Sequence, residues 1–123
     1  MKQSSPLVLV VEADQDIRFP LEKFLELNHF KVVSADTAEA AIAAIHQHRP
    51  VAAIVDLRLS HGSGRDVVVS MPAGAPVIIF SGVPEESAQL ERLRPRTRLV
   101  QKPYSLTMLI DSLREMLEVG HSL

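Results

Sequence analysis

The chain has 123 residues, 46% hydrophobic and 23% charged, the balance of one globular domain with a real core rather than a disordered segment. Thirteen basic residues against fifteen acidic ones leave a net charge of -2, which excludes any overall pull toward nucleic acid or an anionic membrane. Cysteine is absent, so disulfide and thiolate chemistry are excluded, and no apolar run approaches the roughly 20 residues that cross a bilayer. A single cytoplasmic domain without repeats, linkers or leader is the expectation.

The predicted elements alternate. Leu7-Val8-Leu9-Val10-Val11 is a continuous apolar run of the kind buried on both faces of a parallel sheet. Asp14 is placed to cap a helix in which Ile17, Leu21, Phe24, Leu25 and Asn28 keep helical spacing, with Pro20 expected to kink or delay it. Lys31 to Ala35 reads as a second strand. Asp36-Thr37-Ala38-Glu39 reads as a capping box opening a helix that ends near Arg49, before Pro50. Val51-Ala52-Ala53-Ile54-Val55 is a third buried strand running into Asp56. Gly62-Ser63-Gly64 marks a loop, and residues 65–70 make a short helix.

Pro76-Val77-Ile78-Ile79-Phe80 is a fourth strand ending at Ser81-Gly82, followed by a charged helix over 84–93. Arg98-Leu99-Val100-Gln101 is a weak fifth strand. After Lys102-Pro103, Ser105 caps a last helix striped by Leu106, Leu109, Ile110, Leu113 and Leu117 and closed by Gly120. Five strand–helix units imply an α/β fold, a parallel sheet with helices on both faces. Ligands of such folds bind beyond the carboxyl ends of the strands.

Glu12, Asp14, Asp56, Ser81 and Lys102 follow those ends. Mg²⁺ takes carboxylate and phosphate oxygens, and a carboxylate beside it can act as nucleophile toward a phosphoryl donor. A hydroxyl and an ammonium would stabilise the transferred oxygens.

Val8-Leu9-Val10-Val11-Glu12, Val55-Asp56-Leu57-Arg58-Leu59 through Gly64, Ile79-Phe80-Ser81-Gly82 and Gln101-Lys102-Pro103-Tyr104 together resemble the four landmark motifs of response-regulator receiver domains. The resemblance covers essentially the whole chain. It implies a flavodoxin-like five-stranded parallel sheet of order 2-1-3-4-5, over a single receiver domain of residues 1–123 with no output domain. Asp56 would be the phosphoacceptor in a two-component phosphorelay, with Ser81 and Lys102 completing the catalytic set. Glu12, Asp56 and the Arg58 carbonyl would bind Mg²⁺, Ser81 and position 99 would form the switch, and Pro103 would follow a cis bond. Phosphoryl groups would come from a sensor histidine kinase or a histidine phosphotransfer protein, and the output would pass to a downstream protein partner. The resemblance admits a homodimer, and implies no catalysis beyond the domain's own phosphorylation.

The chain departs from the pattern at Ala13, where a metal-binding aspartate is usual, and at Leu99, where an aromatic residue normally couples to the hydroxyl. Ser60 replaces the commonest residue four places after Asp56. The alternative function is therefore a degenerate receiver, a phosphorylation-independent interaction module. A small flavodoxin-like enzyme is disfavoured because no Gly-rich phosphate loop follows Val11. The five histidines, His61 among them, lack metal-ligand spacing and read as surface residues. Arg92, Arg94, Arg96 and Arg98 read as a solvated or partner-binding face.

Overall fold

The computed structural model describes residues 5–59, 62–81, 90, 92, 94, 96–101 and 105–121, with backbone alone at 81, 101 and 119–121. The strands are β1 (Leu7–Val11), β2 (Lys31–Ala35), β3 (Ala52–Asp56), β4 (Val77–Ser81) and β5 (Thr97–Gln101). They pair in parallel in the order β2-β1-β3-β4-β5. Among the described residues the helices are α1 (Gln15–Leu27), α2 (Ala38–His48), α3 (Gly64–Ser70) and α4 (Leu106–His121). Leu90 and Arg92 are helical too; most of the helix expected over 84–93 lies outside the described residues. No described helix is long and apolar enough to cross a membrane.

Strand side chains alternate between faces. Leu9, Val11, Ala53, Val55, Val77 and Ile79 pack with α2 and α3 on one side. Val8, Val10, Ile54, Ile78 and Phe80 pack with Leu21 and Leu25 of α1 and with Leu109, Ile110, Leu113 and Met116 of α4 on the other. Each large side chain so buried contributes about 1.5–3 kcal/mol. With both faces apolar, hydrophobic alternation cannot set the register. The carboxylates that end β1 and β3 can, because a slip would draw Glu12 or Asp56 into hydrocarbon.

Four expectations shift. The cap of α2 is Thr37, whose Oγ1 accepts from Ala40 N at 3.1 Å, rather than Asp36; Thr37 keeps extended backbone angles and so delays the helix by one residue. Helix α1 starts directly after its cap Asp14 and continues through Pro20 without a late start. The proline removes the bond to the Asp16 carbonyl, but it faces solvent while Leu21 and Leu25 anchor the opposite side. Asn28 is no part of the apolar stripe: it caps α1, and its side-chain amide donates to Phe24 O at 2.8 Å. Gly120 does not close α4, which continues to His121; glycine adopts the helical backbone as readily as the left-handed one. Arg49 ends α2 in the left-handed region, φ 49°, and Pro50 after it disfavours continuing in the right-handed helical conformation.

Candidate functional site

Because β1 lies between β2 and β3, the chain crosses in opposite directions on either side of it, and a crevice opens at the carboxyl ends of β1 and β3. Val11 pairs with Val55 there, and the next residue along each strand is a carboxylate, Glu12 and Asp56. Both are buried, at 2% and 5% exposure. Neighbouring parallel strands lie about 4.8 Å apart. Both strand ends therefore deliver carboxylate oxygens to the same crevice. An all-oxygen donor set of this kind suits a hard divalent ion such as Mg²⁺.

Backbone amides orient both acids. Glu12 Oε2 accepts from Asp14 N at 3.1 Å, while Glu12 N donates to Ala35 O at 3.1 Å. Asp56 Oδ1 accepts from Arg58 N at 2.9 Å, and Leu57 N donates to Phe80 O at 3.3 Å. Asp14 is exposed and spends its own carboxylate on the helix, Oδ1 accepting from Asp16 N at 2.9 Å. Ala13, half-buried between the two acids in sequence, offers no side-chain oxygen.

The segment after Asp56 turns back under it. Ser63 caps α3, its Oγ accepting from Arg65 N at 3.1 Å. A Cβ on Gly64 would lie 2.5 Å from the Asp56 carbonyl oxygen and 2.6 Å from Leu57 Cα. Gly62, at φ 83°, makes a similar approach to Ala38 at the start of α2, its missing Cβ 2.5 Å from Ala38 Cβ. Glycine is required twice, and α3 can begin directly against the Asp56 main chain.

The other expected site residues divide. Asp56 pairs with Phe80, so Ser81 follows as the last residue of β4 at the same edge of the sheet. Ser81 pairs with Gln101, the residue before Lys102. Lys102, Pro103, Ser60 and His61 lie outside the described residues. Leu99 pairs with Ile79 and is half-buried against the apolar cluster of α2 and α3. His29, His46 and His48 are exposed, and no group of three or more metal-ligating side chains forms among the described residues.

The arginines expected on a solvated face divide, and Arg94 departs from it. Arg94 is 8% exposed, and its guanidinium donates to Met71 O at 3.1 Å, Pro72 O at 2.7 Å and Ala75 O at 2.9 Å, tying the segment before β5 to the α3–β4 loop. Burial holds it below the ordinary arginine pKa. Arg96 donates to Gly74 O and Met116 O, and Arg98 pairs with Glu115 at 2.8 Å. Arg92 and the Arg98 side chain are exposed, as expected of a solvated face. Sequence reasoning also passed over Arg18, whose Nη1 donates to the Glu12 carbonyl at 2.8 Å. Neither role has a local signal, since their acceptors are main-chain carbonyls.

Comparison with known proteins agrees with this geometry. The profile of the response regulator receiver domain matches residues 8–114. The transcriptional regulatory protein PrrA of Mycobacterium tuberculosis is 30% identical over 120 residues, covering 93% of this chain and 51% of that protein. KdpE of the same species is 31% identical over 111 residues, 88% of this chain and 49% of that one. The chain thus spans about half the length of these curated relatives. A CheY-like receiver domain protein from Methanospirillum hungatei superposes with a TM-score of 0.88 at 22% identity, covering 96% of this chain and 98% of that one. With a full-length sheet of that order, a carboxylate pair at its switch point and a family match over most of its residues, the chain belongs to the response regulator receiver domain family.

Proposed function

We propose that this receiver accepts a phosphoryl group on Asp56 from the phosphohistidine of a sensor histidine kinase or a histidine phosphotransfer protein. The observation that supports it best is the pair of buried carboxylates, Glu12 and Asp56, side by side at the sheet's switch point. An Asp56 oxygen attacks phosphorus, the phosphorus–nitrogen bond breaks, and the electron pair leaves with the imidazole. The Arg58 amide on Oδ1 fixes the carboxylate's orientation beforehand, which lowers the entropy cost of reaching the in-line geometry.

Glu12, Asp56 and the Arg58 carbonyl would hold Mg²⁺, which would neutralise charge on the phosphoryl oxygens. Ser81 ends β4 and Lys102 follows β5 in the sequence, positions where a hydroxyl and an ammonium would bind phosphoryl oxygens. Phosphorylation adds about -1.5 to -2 charges. The response is a change in affinity for a downstream protein partner, with residues 1–123 acting as one receiver unit in the cytoplasm. Its chemistry is limited to its own modification. The names of the mycobacterial relatives, transcriptional regulatory proteins, support a regulatory output.

Ala13 favours a second reading, a degenerate receiver that binds partners without phosphorylation, because the pocket has one carboxylate fewer than the family pattern. One experiment separates the two. The chain is incubated with a small-molecule phosphodonor and Mg²⁺ and followed by intact mass, with Asp56→Asn and metal-free controls. One phosphoryl group that requires both Asp56 and Mg²⁺ supports the phosphoacceptor. No adduct under conditions that modify the Ala13→Asp variant supports the interaction module.

A further inference from the structure

We propose that Arg18 is a positioning residue of the acidic pocket, holding Glu12 through its main chain, and that Glu22 and Ser34 hold Arg18 in turn. Arg18 leaves the first turn of α1, its own amide donating to Asp14 O at 2.9 Å. Its side chain turns back over the loop. Nη1 donates to Glu12 O at 2.8 Å and reaches Ala13 O at 3.5 Å. The side chain is only 12% exposed, and its Nε lies 3.7 Å from Glu22 Oε2 one turn further along the helix. The same Glu22 oxygen accepts from Ser34 Oγ on the edge strand β2. A continuous polar line therefore runs from β2 through α1 to the carbonyl of the pocket's first acid.

Beyond its amide hydrogen bond to Ala35 O, Glu12 is held on either side of that peptide. Its carbonyl is fixed by Arg18 and its carboxylate by the Asp14 amide. A pocket short of one carboxylate depends more on the exact placement of those it keeps, and Arg18 supplies that placement without metal. Its charge has the opposite effect, since a guanidinium so close to the pocket repels a divalent cation. The two effects predict opposite signs when Arg18 is replaced, and the hydrogen-bonding effect dominates because it acts at contact distance while Glu22 beside the guanidinium offsets part of its charge.

The test is amide hydrogen exchange, read residue by residue by NMR, on the metal-free 123-residue chain and on Arg18→Met, Arg18→Lys and Glu22→Gln. Loss of the clamp lowers Asp14 amide protection about tenfold in Arg18→Met, the effect of one net hydrogen bond. Leu57 protection in β3–β4 stays as it was. Arg18→Lys, which keeps the charge but loses the fork, behaves like Arg18→Met, and Glu22→Gln gives a smaller loss of the same sign. Unchanged Asp14 protection, or a loss spread evenly over the sheet as a merely structural residue would cause, overturns the proposal.

A second arm titrates Mg²⁺ against the amide shifts of Glu12 and Asp56. Weaker binding in Arg18→Met supports positioning; tighter binding means that Arg18 acts as a repelling charge and overturns it. Neither arm requires phosphorylation of Asp56. A chain that takes no phosphoryl group would remove the proposed function and leave the exchange result to judge Arg18.

Discussion

Gly64 opens α3 against the main chain of Asp56, with room for no side chain: a Cβ there would stand 2.5 Å from the Asp56 carbonyl oxygen. The obstruction is backbone, which cannot rotate aside. Gly64→Ala must therefore push α3 away or tilt the Asp56 peptide. We expect it to cost about 1–3 kcal/mol, the range for overpacking, in urea denaturation. It should also slow Asp56 phosphorylation, because the carboxylate is aimed by this same loop through Arg58 N.

Asp14 caps α1, its Oδ1 accepting from Asp16 N, and the roles of cap and metal ligand predict different losses. Asp14→Ala should lower stability by about 1 kcal/mol, as removal of an N-cap does. Mg²⁺ affinity, measured by calorimetric titration, should change less than twofold, well below the effect of removing a ligand. A drop of tenfold or more would mean that the exposed carboxylate turns inward when the ion binds.

Ala13→Asp restores a carboxylate beside Glu12. Without metal, the variant should be less stable than the parent by about 1 kcal/mol, because it replaces a half-buried methyl group with a carboxylate that must be desolvated. Added Mg²⁺ should reverse the order by binding the native state alone. Thermal unfolding of both proteins with and without Mg²⁺ checks the crossing, and equal responses to the ion would contradict it.

Arg94 carries the packing between the α3–β4 loop and the segment before β5. Arg94→Met should fill much of the same volume yet remove the guanidinium bonds to Met71 O, which is buried, and to the partly buried Pro72 O and Ala75 O, at a cost of about 1–3 kcal/mol. Arg98 supplies the contrast. Its pair with Glu115 is exposed, so Glu115→Ala should change stability by less than about 1 kcal/mol. Chemical denaturation of the two variants measures the difference directly.

The fold was legible because its signals are local. β-branched runs such as Val8–Val11 and 51–55, a proline after Arg49 and a cap at Asp14 each speak for their own segment, and five such units admit few topologies. The strand-end carboxylates were legible for the same reason: Glu12 and Asp56 each interrupt an apolar run. Errors fell where local rules compete. Both Asp36 and Thr37 can cap, and the extended backbone at Thr37 decided between them. Gly120 suits a helix interior as well as a stop.

What the sequence determined by itself was the set of elements, the order of the carboxylates along the chain and the missing oxygen at Ala13. Only the tertiary structure decided that Glu12 and Asp56 stand side by side, because strand order and register are properties of pairing between distant segments. The same holds for the arginines. Four basic residues at 92, 94, 96 and 98 look alike in sequence, yet one points to solvent, two donate to carbonyls and one pairs with Glu115. A main-chain carbonyl is present at every position, so composition cannot say which one a guanidinium will find; the folded chain chooses by bringing an unsatisfied acceptor within reach of a buried donor.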